Sequence, residues 1–389
     1  MMKLAFDIST SGRTILGAGT VQNLGSILTQ YGFKNIAVLM DNGIETSGIG
    51  QKVVDIIEKA NISCIVVNDL AREPGVPDVD IVMGKVKAAK PDCVVSVGGG
   101  SVLDVGKLCG VLTKARIGIM DLLDGAPVPT HTTFTIAIPT TAGTGSESTK
   151  NAIIAIPSRN SKGAVVDEKL LPDLVILDPE LTLSLPSSIS ATTGMDALCH
   201  AMECYLSQKA NTYSDLLALD AMTRIARSLR KAVNVGSDIE ARGDMLLASY
   251  FAGMCITLSG TNAVHAMSYP LGVKYHIPHG QSNAMLLPYV MEYNLSAMPE
   301  KTRTVAECFG YDTTNSKEQA ETYLIKELHT LLEDLNIGTS LTAFGAKYTD
   351  LEDLVNSAYT NRRLMDNNPV ELNEEQIGDI YLRLLGSQE

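Results

Sequence analysis

The segment GMDALCHAME places Asp196 and His200 one helical turn apart. At that spacing a carboxylate and an imidazole leave the same face of a helix and can converge on one ion. Downstream, HAMSYPLGVKYHIPHG crowds His265, His276 and His279, three of the six histidines in the 389-residue chain, into one short stretch. A lone histidine in a helical region is ordinarily a hydrogen-bonded structural residue. A D-x-x-x-H pair combined with two further histidines, the second followed directly by Gly280, is hard to read as four unconnected residues. Asp196, His200, His265 and His279 are therefore candidate ligands of one divalent metal, Fe(II) or Zn(II) by ligand type. His276 reads as a neighbour of that set or a surface residue, and His131 and His329 carry no motif.

A second chemistry is suggested by two glycine-rich turns. VVSVGGGSVLDVGK runs from an apolar strand into Gly98, Gly99 and Gly100 and then into a helical pattern, which suits a diphosphate received by backbone N–H groups at a helix N-terminus. IPTTAGTGSEST concentrates Thr140, Thr141, Thr144 and Thr149 around Gly143 and Gly145 after another strand, offering hydroxyls to phosphate or ribose. Asp41 ends the strand IAVLM, where its carboxylate can accept from an adenosine ribose and repel a 2′-phosphate; a cap for the next turn is the plainer reading of an acid there. The lone GxG of LGAGTVQNLG is read only as a turn into a helix.

These residues need elements to position them. The runs at 34–41, 62–67, 92–100 and 134–139 are wholly apolar strand candidates, as in a parallel sheet covered on both faces, and segments 48–60 and 79–90 between them carry helical spacing. That alternation predicts an α/β dinucleotide-binding domain with a mainly parallel sheet over residues 1–182. Long helical patterns at 191–208, 213–233, 241–256 and 317–335 predict an all-helical metal- and substrate-binding domain over 183–389.

Composition narrows the partners. A net charge of −13 with no basic run gives no electrostatic footprint for nucleic acid or an anionic membrane. Seven scattered cysteines, the absence of a signal-peptide-like N-terminus and the absence of a spanning apolar stretch favour a cytoplasmic protein acting on a small molecule.

Taken together, GGGSVLDVGK, PTTAGTGSEST, GMDALCHAMECYLS and HAMSYPLGVKYHIPHG resemble, in collinear order, the iron-activated (group III) alcohol dehydrogenases, within a superfamily that includes dehydroquinate synthase. The resemblance implies NAD(H) and one divalent metal in a cleft between the two domains, with Asp196, His200, His265 and His279 as ligands. It carries nucleotide-binding positions onto Asp41, Gly98, Gly99, Ser101, Thr140, Thr141, Thr144, Thr149 and Lys162, the last reaching the nicotinamide ribose. Asp104 and Lys107 match positions expected to shape the cofactor loop. A homodimer built through the N-terminal domain is also implied.

The chain departs from the family at Tyr269, where many members have a second histidine assigned to the proton path, and at Val370, which replaces an arginine. Tyr269 is expected either to take over proton transfer or to line the pocket. Asn151, Cys255 and Arg362 are assigned to substrate, with Arg363 as an alternative to Arg362 for an anionic head group and Met254 and Ile256 beside Cys255 limiting its size. The expected activity is reduction of a small, polar aldehyde, including anionic ones such as sulfoacetaldehyde, phosphonoacetaldehyde or succinic semialdehyde beside lactaldehyde-like compounds. Two alternatives stand: a lyase like dehydroquinate synthase, which needs a basic site and finds little beyond Lys274, and a non-catalytic nucleotide- or metal-binding regulator.

Overall fold

The computed structural model describes residues 6–386 except 72, 131, 160 and 315–317, so His131 lies outside the described residues. They divide into two compact units, one over residues 9–185 and one over 186–386 together with 6–8.

The first unit contains strands β1 (Arg13–Leu16), β2 (Asn35–Asp41), β3 (Ser63–Leu70), β4 (Cys93–Gly98), β5 (Phe134–Pro139), β6 (Asn151–Ile156), β7 (Ser161–Val166) and β8 (Leu174–Leu177). Its helices are α1 (Leu24–Gln30), α2 (Asn42–Thr46), α3 (Ile49–Lys59), α4 (Val76–Ala89), α5 (Gly100–Leu112) and α6 (Ile119–Leu123). Six strands form one parallel sheet in the order β1-β8-β5-β4-β2-β3. Alternate residues of β2 enter opposite cores: Ala37 and Leu39 pack with α4 and α5, Ile36, Val38 and Met40 with α1 and α3. Burial on both faces explains the unbroken apolar run. The chain leaves β2 for β3 on one side and returns to β4 on the other, so the sheet reverses its order between β2 and β4. Ligands of open α/β sheets bind outside the carboxyl ends of strands at such a point.

Two features were not expected from the sequence. Edge strand β1 pairs with β8, and β6 and β7 form a separate antiparallel hairpin. GxG at Gly17 and Gly19 is a turn, with both Asp178 carboxylate oxygens accepting from the Gly19 and Val21 amides at 3.0 Å.

The second unit is helical: α7 (Ser187–Leu206), α8 (Thr212–Asn234), α9 (Ile239–Ser259), α10 (Ala263–Tyr275) and α11 (His279–Ser296), then α12 (Pro299–Cys308), α13 (Ala320–Asp334), α14 (Leu351–Tyr359), α15 (Arg362–Met365) and α16 (Glu374–Leu385). Helix α7 packs against α8, α9 and α11, and every residue from Gly194 to Leu206 is buried. A helix apolar nearly all round belongs in a core, which leaves the polar side chains of α7 needing partners there. Among the described residues no helix is long and apolar enough to cross a membrane.

Candidate functional site

The four candidate ligands meet. Asp196 and His200 stand one turn apart on α7, His265 lies in the first turn of α10, and His279 is the first residue of α11. Their ligand atoms all lie within 4.8 Å of one another. From Asp196 Oδ1 the Nε2 atoms of His200, His279 and His265 are 3.7, 3.8 and 4.0 Å away. Donors around one ion at ordinary bond lengths of about 2.0–2.2 Å stand roughly 3.3–3.6 Å apart, so the three histidines stand from Asp196 within a few tenths of an ångström of a metal's requirement. Asp196, His200 and His265 are buried, while His279 is about one-third exposed, leaving one side of the cluster open.

Backbone packing brings His279 into place. A Cβ on Gly280 would lie 2.4 Å from the Thr192 carbonyl oxygen, so only glycine lets the first turn of α11 close on α7. The pocket thus formed is rich in acceptors. Asn283 Nδ2 lies 2.7 Å from Asp196 Oδ1, 3.1 Å from His265 Nε2 and 3.2 Å from His279 Nε2, three acceptors facing an amide with two hydrogens. Asn283 Oδ1 is itself buried without a hydrogen-bond partner among the described residues. Lone pairs in excess of donors are what a cation satisfies, and the donor set fits the divalent metal implied by the sequence. Burial would raise the Asp196 pKa, but His200, His279 and His265 together with Asn283 hold it below the ordinary carboxylate range.

Glu203, which the sequence reading passed over, completes the cluster. It lies one turn beyond His200 on α7 and is fully buried. Its Oε1 accepts from the backbone N–H groups of Asn262, Val264 and His265 at 3.1, 2.7 and 3.3 Å, at the N-terminus of α10, and its Oε2 pairs with His265 Nδ1. The available signal was positional: Asp196, His200 and Glu203 recur at i, i+4 and i+7 on one face. Asn283 likewise stands four residues after His279.

Around the cluster, Tyr269 follows His265 by one turn, its ring 6.0 Å from that of His279. Burial raises the phenol's pKa, against the Arg363 guanidinium beside it. Arg363 also acts on His265 and forms no ion pair among the described residues. Arg362, assigned to substrate from the sequence, turns away: it pairs with Asp366 at 2.5 Å and lies 5.4 Å from the Tyr359 ring. Adjacent positions at the start of α15 point in different directions, and the i,i+4 carboxylate captures the first of them. Cys255 is also corrected. Its buried thiol donates to the Ser214 carbonyl at 3.4 Å on the side of α9 facing α8, and burial drives its pKa far up, so it offers no substrate contact. His276 caps the C-terminus of α10 in the left-handed region, and His329 packs edge-on against Tyr289.

In the α/β unit the nucleotide candidates gather at the carboxyl ends of β2, β4 and β5. Gly98 ends β4, Gly99 caps α5, and Ser101 lies in its first turn. The Thr140 amide donates to the Gly98 carbonyl at 3.1 Å, and a Cβ on Gly100 would meet the Thr144 side chain at 2.8 Å, so the two loops pack on each other. Thr141 borders Gly99. Asp41 caps α2, its Oδ1 accepting from the Ile44 amide at 2.8 Å.

Beneath these loops lies a buried polar layer. Lys107 pairs with Asp104 at 2.8 Å and donates to the Ser146 carbonyl, the Thr149 hydroxyl and the Asn151 carbonyl. Asp104 accepts from the Ser146 hydroxyl and the Ile153 amide, so Asp104 and Thr149 are spent on tying α5 to the threonine loop and to β6 rather than facing a ligand. The Asn151 backbone is held in this layer and in the ladder with β7. Lys162, on β7, pairs with Glu73 at 3.1 Å.

Comparison with known proteins agrees with this arrangement. The family profile described as iron-containing alcohol dehydrogenase matches residues 11–179, and that of the Fe-containing alcohol dehydrogenase family C-terminal region matches residues 190–385. Long-chain-alcohol dehydrogenase 1 of Geobacillus thermodenitrificans is 36% identical over 370 residues, covering 94% of this chain and 93% of that protein. A solved 1,3-propanediol oxidoreductase superposes with a TM-score of 0.92 at 33% identity, covering 97% of this chain and 99% of the other. The sulfoacetaldehyde reductase of Bifidobacterium kashiwanohense, solved in complex with NAD+, superposes with a TM-score of 0.91 at 28% identity over 99% of this chain and all of the other.

Proposed function

Because the chain belongs to the iron-containing alcohol dehydrogenase family, we propose that it reduces a short anionic aldehyde to its primary alcohol, with Asp196, His200, His265 and His279 holding the metal. The reaction class is that of the family, NAD-dependent interconversion of alcohol and aldehyde, and the cofactors are NAD(H) and one divalent metal. The observation that carries the site assignment is the convergence of four ligand atoms from three helices within 4.8 Å.

When bound, the metal supplies Lewis acidity toward a carbonyl oxygen and the dihydronicotinamide supplies the hydride. The residues provide placement and protons. Backbone N–H groups following Gly99 receive the diphosphate, Thr140, Thr141 and Thr144 line the same edge, and the second carboxylate oxygen of Asp41 serves the adenosine ribose. Lys162 reaches the nicotinamide ribose by exchanging its surface partner Glu73. Tyr269 is protonated at neutral pH like any phenol, burial holding the proton more firmly against the neighbouring Arg363, and we assign it as proton donor in the reductive direction.

The anionic substrate rests on Arg363, a guanidinium beside Tyr269 and His265 without a carboxylate ion pair among the described residues, and on the likeness to a sulfoacetaldehyde reductase. The lyase reading is not favoured, because Lys274 is engaged with Asp350 and Asp353 at 2.8 and 3.4 Å. A homodimer and a cytoplasmic setting belong to the proposal as well, the latter supported by seven free cysteines. Light scattering that gives a monomer mass would remove the dimer.

The test is NADH oxidation by protein reconstituted with Fe(II) or Zn(II), against neutral and anionic short aldehydes, with His265→Ala alongside. Turnover that disappears in the variant is expected. Absence of turnover with every aldehyde, despite bound metal and NADH, would refute the proposal.

A further inference from the structure

We propose that Glu203 is a positioning residue of the metal site, which fixes His265 as the tautomer protonated at Nδ1 and so keeps Nε2 free to ligate. This inference rests on the metal-site reading above. Glu203 is fully buried, and both carboxylate oxygens are engaged. Oε1 receives three backbone amides of α10, a charge-assisted cap at the positive end of that helix. With Oε1 taken up by those three backbone donors, Oε2 faces the ring as an acceptor. Its bond to His265 Nδ1 therefore requires a proton on that nitrogen. Nε2 is then the lone-pair atom, and it is the atom 3.1 Å from Asn283 Nδ2 and 4.0 Å from Asp196 Oδ1, at the centre of the cluster. The same contacts tie α10 to α7: the Asn262 side chain donates to the Glu203 backbone carbonyl at 2.8 Å, so the helix bearing His265 is registered against the helix bearing Asp196 and His200 by one residue. A carboxylate bonded to the far nitrogen of a ligating histidine typically sets metal affinity by 10–100-fold.

Glu203→Gln separates this role from a purely structural one. The amide oxygen can still accept from the α10 backbone, but the amide NH2 presented to His265 favours the opposite tautomer, with the proton on Nε2. Zinc affinity is measured by competition with a chelator for the wild type, Glu203→Gln, His265→Ala and the double variant. The expected result is a 10–100-fold loss in Glu203→Gln and little further loss when Glu203→Gln is added to His265→Ala, because Glu203 acts through that ring. Zinc binding unchanged within threefold in Glu203→Gln, or an equal loss with and without His265, overturns the proposal.

The wild type supplies a readout that does not depend on a variant folding. In the zinc-loaded protein, nitrogen-15 histidine spectra should show His265 bonded to zinc through Nε2 with a proton on Nδ1. Ligation through Nδ1, or an unprotonated Nδ1, overturns the role of Glu203 while leaving the metal site standing. Failure of wild-type protein to bind zinc overturns both.

Discussion

Replacing Glu147 with glutamine should remove a pH-dependent weakness from the α/β unit. Glu147 sits in the turn after Gly145 at 1% exposure, and its Oε1 has no hydrogen-bond partner among the described residues. Burial pushes its carboxyl from the ordinary 4.5 up to about 7, its own backbone amide and Lys107 opposing and Asp104 assisting. Between those two values the folded protein keeps a proton that the unfolded chain has released. The folded state binds more protons, so its stability falls as pH rises from about 4.5 to 7 and then levels off. A raise of that size corresponds to about 3 kcal/mol at full effect. Glutamine stays neutral throughout, at a cost of about 1 kcal/mol for an imperfectly bonded amide. At pH 5.5 the variant should therefore melt close to or slightly above the wild type, and at pH 8.5 above it by roughly 4–8 °C, at about 2–4 °C per kcal/mol for a unit of this size. The measurement is the difference in Tm between the two proteins from pH 5.5 to 8.5. A difference that stays constant across that range would refute the reasoning, since it would mean that Glu147 folds already ionised.

Three further outcomes are expected. Gly280→Ala should weaken zinc binding at least tenfold by pushing α11 off the Thr192 carbonyl, and destabilise the metal-free protein by about 1–3 kcal/mol; unchanged affinity would show that His279 does not depend on that approach. Lys107→Met should cost about 3–5 kcal/mol in urea unfolding, because it leaves the Asp104 carboxylate buried without its cation, and a loss below about 1 kcal/mol would contradict the buried pairing. Arg363→Met should raise KM for anionic aldehydes by roughly 10–100-fold relative to its effect on neutral ones, as expected for a charge-assisted contact, whereas equal effects on both would assign the arginine to Tyr269 alone.

Much of this protein could be read along the chain. Strands β2, β4 and β5 announce themselves because burial on both faces demands unbroken apolar runs, and the change in periodicity marks the passage from alternating strands and helices to long helices alone. The hairpin β6–β7 is not legible because β6 alternates only between buried and half-buried and β7 buries Val165 alone between exposed ends, which leaves short apolar words without a clear period. Asp196 and His200 were legible as a pair because the α-helix converts a spacing of four into a shared face. His265 and His279 were legible through their rarity and the glycine that follows the second.

What lay beyond the sequence is every choice that depends on which neighbour a side chain meets. Arg362 and Arg363 are the same residue type in adjacent positions, and only the placement of Asp366 and Tyr269 separates a surface ion pair from a guanidinium at the site. Cys255 reads as a pocket residue until the packing of α9 on α8 encloses it. Asp104 and Lys107 read as loop charges until α5 lies against β6 and turns them inward. Glu203 is an ordinary helical glutamate in the sequence and becomes a partner of His265 only when α10 docks on α7. Local spacing determines which side chains share a face of one helix; which element that face meets, and hence which charges are paired and which lone pairs are left for a metal, is decided by packing between segments distant in the chain.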